Sequence, residues 1–247
     1  MQKIDILGEF PVVEFRRYRI SAPAREHFAC YFDTFFPEAI QQTGGVVLGQ
    51  FLEGDSDEGF TWIRGFHDMA ARATVNAALY DGPVWKEHRS TMNEHMLDHT
   101  NVLLMAPLSR ERAIPVLAAV DPVRERDSSR GLAIAQVFGV KSGGLEDLVR
   151  LAEPVFATYV SQGAREAGIL VGLDVPNNFP RLPYRTDGLY AVWLGMVEND
   201  GVLSTRLRPA AEQAQRVLAD SGLLKSTPEL IVLHPTARSR LRWAPPT

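Results

Sequence analysis

The chain has 247 residues, of which 45% are hydrophobic and 23% charged, and a net charge of −4. This is an ordinary globular composition, with enough apolar material for one or two cores. The weakly acidic balance, with a pI near 5.9, gives no drive toward nucleic acid or an anionic membrane, so neither is an expected partner. A single cysteine, Cys30, allows no internal disulfide and points to a reducing, cytoplasmic compartment. No basic region followed by an apolar run opens the chain, and no apolar stretch approaches the roughly 20 residues that span a bilayer.

The first expected element is a strand over 12–20, rich in β-branched and aromatic residues. Ser21 reads as an N-cap and Pro23 lies just inside the following helix. Phe28, Phe32, Phe35 and Ala39 then recur at helical spacing and give that helix an aromatic face. Gly44-Gly45 ends it. A strand over 46–52, a turn over 54–59 and a strand over 60–66 follow. Asp68 caps a second helical region, broken near Asp81-Gly82-Pro83 and continuing from 84 to about 99. A fourth strand covers 101–105.

The same β-α-β-β-α-β order returns. Strands are expected over 132–140, 169–175, 189–197 and 229–233, with helices over about 145–159 and 203–224. The repetition, at a period of roughly 120 residues, marks an internal duplication. Each unit is a ferredoxin-like βαββαβ motif whose helices cover one face of a four-stranded antiparallel sheet. The other face needs cover, and the second unit supplies it. The expected fold is therefore α+β: two ferredoxin-like units in tandem, their antiparallel sheets facing each other as an α+β barrel. The domains read as 1–108 and 131–247, joined by a linker over 109–130. That linker carries Arg110, Glu111, Arg112, Arg124, Glu125, Arg126, Asp127 and Arg130, the composition of a solvated connector. Its apolar middle, 114–120, has no assigned packing. The chain is a pseudo-dimer, with further pairing of chains open through outer sheet edges.

Several runs resemble NIPSNAP-family domains. Glu14-Phe15-Arg16-Arg17-Tyr18 is similar to that family's opening strand, Gly44 to Phe51 to its second strand, and Trp62-Ile63-Arg64-Gly65-Phe66 with Asp68 and Arg72 to its third strand and helix start. Trp85-Lys86 and Asn101-Val102-Leu103-Leu104 also fit. The match covers about residues 10 to 107. In the second half, only the loop from Pro176 to Pro183 resembles tandem members. There Ile134 stands for Glu14, and Gln136-Val137-Phe138 for Arg16-Arg17-Tyr18, so a site built on the polar triplet is asymmetric. The resemblance implies a dimeric α+β barrel. It imports no activity.

Glu14, Arg16 and Tyr18 share one strand face and are expected to point into the barrel, with Val13 and Phe15 toward the helices. Such a set can orient a polar ligand or form a structural ion pair. Trp62 and Arg64 share a face of the third strand, as an aromatic wall with a cation or as a core tryptophan beside a solvent-reaching arginine. His67, at that strand's end, is an acid-base candidate or a surface residue. Asn178, Arg181 and Arg185 lie on a proline-stiffened loop over 176–187. That loop either lids the barrel mouth to meet an acidic ligand or packs on the other half through Phe179. His95 and His99, four apart on the expected helix, raise a metal site or an axial haem ligand. The stripe of Trp85, His88, Met92, Met96 and His99 reads instead as packing, so no metal and no cofactor are expected. Nucleotide loops and the nucleophile elbow are absent. The expected function is binding of a small, partly apolar molecule in the barrel. The alternatives are a cofactor-independent monooxygenase or isomerase of the α+β barrel type, and a protein–protein interaction module.

Overall fold

The computed structural model describes residues 9–121, 123–125 and 130–243. Arg126 and Asp127 of the expected linker lie outside these. Strands β1 (Val12–Ile20), β2 (Val46–Glu53), β3 (Gly59–Phe66) and β4 (Met96–Pro107) build the first half, with helices α1 (Arg25–Gln42), α2 (Met69–Tyr80) and α3 (Pro83–Glu94). Strands β5 (Leu132–Val140), β6 (Arg165–Gly172), β7 (Leu189–Val197) and β8 (Glu229–Pro235) build the second, with α4 (Leu145–Ser161) and α5. Helix α5 runs in three continuous pieces: Asp200–Val202, a π turn at Leu203–Leu207, and Arg208–Ala219. The Asp68 carboxylate accepts from the Ala71 amide at 2.6 Å and fixes the start of α2.

The eight strands close into one antiparallel barrel in the order β1-β3-β2-β8-β5-β7-β6-β4. The two four-stranded sheets meet at two short seams. Phe51, Leu52 and Glu53 of β2 pair with Pro235, His234 and Leu233 of β8. Met105, Ala106 and Pro107 of β4 pair with Gly172, Val171 and Leu170 of β6. Closure leaves the sheets no free edge.

Alternation divides the buried side chains into layers. Val13 and Phe15 of β1, Ile63 of β3 and Met105 of β4 meet Ala135, Val192, Leu194 and Leu233 of the second half inside the barrel. Small alanines on β5 opposite larger residues let this interior fill. A second core lies between α4, α5 and the outer face of β5 and β7, around Phe138, Phe156, Tyr159 and Trp193. A third lies between α1, α2, α3 and the outer face of β1 and β3, around Phe28, Phe32, Phe36 and Trp62.

The connector is less solvated than its composition predicts. Ile114, Val116 and Leu117 are buried and join the barrel interior, and Leu241 from the segment after β8 joins them. Leu117→Ala is therefore expected to cost about 2–5 kcal/mol in denaturant unfolding, as a core truncation does. A change within about 0.5 kcal/mol, the ordinary cost at a solvated surface, would show that this segment is only a tether.

Candidate functional site

The orientation of β1 is the reverse of the sequence expectation. Val13 and Phe15 fill the barrel, whereas Glu14, Arg16 and Tyr18 face the helical layer of their own half, where Glu14 meets Arg72 of α2 and Tyr18 meets Trp62. The reason is packing. The second half presents alanine, valine and leucine to the interior, and charged groups there would go unpaired.

Glu14 is 0% exposed and gathers three equally buried arginines. Its Oε2 accepts from Arg16 at 2.6 Å and from Arg64 Nε at 2.7 Å, and its Oε1 accepts from Arg72 Nε at 2.7 Å. Burial alone would raise the Glu14 pKa, but Arg64, Arg16 and Arg72 together hold it well below the usual carboxylate range. Three guanidiniums sharing one carboxylate give the cluster an excess of positive charge among the described residues. Further neutral acceptors come from the loop over 176–187, where Asn178 and Asn177 accept from Arg72 at 2.7 and 3.2 Å. The Asn178 amide also donates to the Met69 carbonyl.

Arg16 extends toward the aromatic core. Its Nε donates to the Tyr18 hydroxyl at 2.9 Å, and its guanidinium carbon lies 5.4 Å from the ring centres of both Tyr18 and Trp62. Arg64 stands 5.1 Å from the rings of Trp62 and Phe66. These are cation–π distances. Burial raises the Tyr18 pKa, more than the neighbouring Arg16 lowers it, so the phenol keeps its proton. Its oxygen already accepts from Arg16, so that proton is turned away from the guanidinium.

Beside Tyr18 and Trp62 lies a cavity of about 360 Å³, within the size range of small-molecule sites. Phe32 and Phe36 of α1, Leu79 and Tyr80 of α2, and Trp85 and Met92 of α3 wall it. Phe179, Arg181 and Leu182 from the second half cover it. Phe179 packs on Tyr80 with ring centres 6.3 Å apart, and Arg181 pairs with Asp81 at 2.8 Å. The loop thus lies across the first half's helical layer instead of the barrel mouth. His99, exposed at the rim, sits with its ring 6.3 Å from that of Tyr18.

Two candidates stand apart from this site. His67 is exposed, stacked on Phe10, and bonded through Nδ1 to the Glu9 carbonyl at 2.7 Å. Arg185 is held by Asp187 at 2.7 Å and by the Tyr190 hydroxyl. The histidine pair also changes. Helix α3 ends at Glu94 and β4 begins at Met96, so His95 caps a helix while His99 lies on a strand. Among the described residues no cluster of three or more histidine, cysteine, aspartate or glutamate side chains could hold a metal ion.

The sequence reading missed Arg72, Asn76, Tyr80 and Asn177 as site residues. The signal for the first two was present: Arg72 and Asn76 are one helical turn apart on the otherwise apolar buried stripe of α2 with Val75 and Leu79.

The second half has no such site. Pairing sets Arg16 opposite Trp62 in the first half and Gln136 opposite Trp193 in the second. Glu14 opposite Arg64 becomes Ile134 opposite Gly195. There Tyr159 donates to Gln136 at 2.5 Å, and Phe156 and Tyr159 pack on Trp193, filling the space.

No family model matches the chain, and no curated protein matches it. Solved structures do. A protein from Lactobacillus acidophilus, provisionally described as a monooxygenase, is 13% identical, covers 96% of this chain and 100% of its own, and superposes with a TM-score of 0.56. An anthrone oxidase-like protein is 11% identical over 95% of each chain, with a TM-score of 0.56. A NIPSNAP domain protein from Burkholderia xenovorans is 18% identical and covers 40% of this chain and 96% of its own, with a TM-score of 0.37. The full-length likenesses identify the fold as the dimeric α+β barrel, closed here within one chain. No helix among the described residues is long and apolar enough to cross a membrane.

Proposed function

We propose that this protein binds a planar, largely aromatic molecule between the helices and the outer sheet face of its first half, and oxidises it with dioxygen without a tight cofactor. The observation that carries the reading is the aromatic-walled cavity of about 360 Å³ that Tyr18 helps to line, its hydroxyl held by Arg16. The full-length structural likenesses, one named for anthrone oxidase and one for a monooxygenase, favour oxidation over simple binding, though such likeness alone speaks to fold. The earlier expectation of a ligand inside the barrel gives way, because apolar side chains occupy that interior. We also keep as proposals the kinship of the first half with NIPSNAP domains and the division of the chain into units at 1–108 and 131–247.

The chemistry asked of the site is limited. The CH2 of a tricyclic anthrone, conjugated through the aromatic rings with the ring carbonyl, loses a proton to give an enolate whose oxygen is that carbonyl oxygen. The enolate passes one electron to dioxygen, and the carbon radical and superoxide combine into a peroxide. Loss of water leaves a carbonyl, so that R2CH2 and O2 become R2CO and H2O. Tyr18 donates to the enolate oxygen, as a preorganised donor in a dry site does. His99 is the one imidazole among the described residues that line the cavity and is placed to take the proton.

The test is turnover of a tricyclic anthrone in air, followed by the quinone absorbance and oxygen uptake. Catalysis above the spontaneous rate is expected, and Tyr18→Phe should lower kcat by about 10²-fold, the usual cost of one oxyanion donor. Binding without turnover would return the protein to the class of binding modules.

A further inference from the structure

Beside the cavity, and reaching it through Trp62, lies a group of hydrogen-bond donors that the described residues do not satisfy. Arg16 Nη2, Arg64 Nη1, Arg72 Nη2, Trp62 Nε1 and the Asn76 amide are buried with no hydrogen-bond partner among the described residues. Buried donors are normally paired, and each exception calls for an occupant or a role. These five side chains are contiguous. Arg16, Arg64 and Arg72 share the Glu14 carboxylate, Trp62 lies against the first two, and Asn76 is one turn along α2 from Arg72. The same cluster carries three guanidiniums on one carboxylate, an excess of positive charge.

We propose that the ligand of this cavity bears a carboxylate, which docks on the Trp62 indole N–H with the Arg16 guanidinium close by, leaving the Tyr18 hydroxyl to the enolate oxygen. This deepens the reading of the cavity as a substrate site and rests on it. Tyr18 and Trp62 line the cavity, and Arg16 lies directly behind both rings. An anion at the Trp62 indole N–H therefore meets a donor that no described residue satisfies and stands one side chain from a cluster with three guanidiniums and one carboxylate. A planar carboxylate matches the guanidinium edge in shape and charge. The rest of the molecule is aromatic, because Phe32, Phe36, Tyr80, Trp85 and Phe179 enclose it. The second half, where Ile134 and Gly195 replace Glu14 and Arg64, offers neither the charge nor the space.

The experiment compares 2-naphthoate with 2-naphthamide, two probes of nearly equal shape that differ in charge. Both are titrated into the full chain near neutral pH by calorimetry, with tryptophan fluorescence in parallel. Wild-type protein should bind the acid at least about tenfold tighter than the amide. In Arg16→Met that preference should disappear while naphthamide affinity stays within about twofold. Removing a cation from a cluster already in positive excess leaves Glu14 paired with Arg64 and Arg72. Should Arg16→Met fail to fold, Arg72→Met is read for the same ratio. The preference should also survive high salt, since buried charge is screened far less than surface charge. Equal affinity for the two probes overturns the carboxylate inference and leaves the aromatic cavity standing. A preference that persists unchanged in the arginine variant overturns the assignment to this cluster. Failure of both probes to bind at millimolar concentration removes the cavity reading and this inference together.

Discussion

Glu14→Gln is expected to destabilise the protein by about 3–5 kcal/mol in urea unfolding, the range found when one partner of a buried ion pair is removed. Glu14 is fully buried and is the carboxylate to which Arg16, Arg64 and Arg72 all donate. Glutamine keeps the shape but withdraws the charge, leaving three desolvated guanidiniums beside a neutral amide. A second substitution should recover part of the loss: Glu14→Gln with Arg64→Met removes one of the stranded cations and replaces it by an apolar chain of similar reach. If the double variant is no more stable than the single one, charge imbalance is not what the carboxylate relieves.

The same residue makes an acid-side prediction. Its folded pKa lies below the ordinary value of 4.5, because the three arginines outweigh burial. A depressed folded pKa contributes stability that is fully present above the unfolded value and is lost as pH falls toward the folded one. The stability gap between wild type and Glu14→Gln should therefore be constant at neutral pH and narrow progressively below about pH 4.5. A gap that stays level into acid would mean that the carboxylate is not held ionised by its neighbours.

The sequence made the order of elements legible because two periodicities and the turn residues are local properties. Strands β1, β5 and β7 fall at the expected residues, and Asp68 caps α2 as its side chain predicts. It also showed that Glu14, Arg16 and Tyr18 share a face. It did not show which face. Alternation reports sidedness when one side is wet, but here both sides of β1 are covered, and nearly every residue of β1, β3 and β5 is buried. With no polar-out signal, the choice depends on what the distant half presents, namely Ala135, Val192 and Leu194. The pairing of Arg72 was hidden for a related reason: its partner Glu14 is 58 residues away, and only the packing of α2 on β1 brings them together. The start of β4 was misplaced because Met96 and His99 continue the helical stripe of Trp85, His88 and Met92. They still reach the same cavity, but from a strand.

The two pseudo-equivalent tryptophans provide the sharpest contrast between a core and a site. Trp193→Ala is expected to cost about 3–5 kcal/mol, the range for truncating a large aromatic in a packed interior. Phe156 stacks on that ring at 6.1 Å, Tyr159 meets it edge-on at 4.9 Å, and the indole is 0% exposed. Trp62→Ala should cost clearly less. One side of its ring already borders the 360 Å³ cavity, so truncation removes fewer contacts and enlarges an existing space. Its indole nitrogen makes no hydrogen bond whose loss would add to the cost. The functional order should be the opposite: Trp62→Ala abolishes acid-over-amide selectivity for the naphthalene probes, while a folded Trp193→Phe leaves it unchanged. Equal losses of stability would mean that Trp62 is as tightly packed as its counterpart, and the first-half cavity would then be a packing gap and not a site.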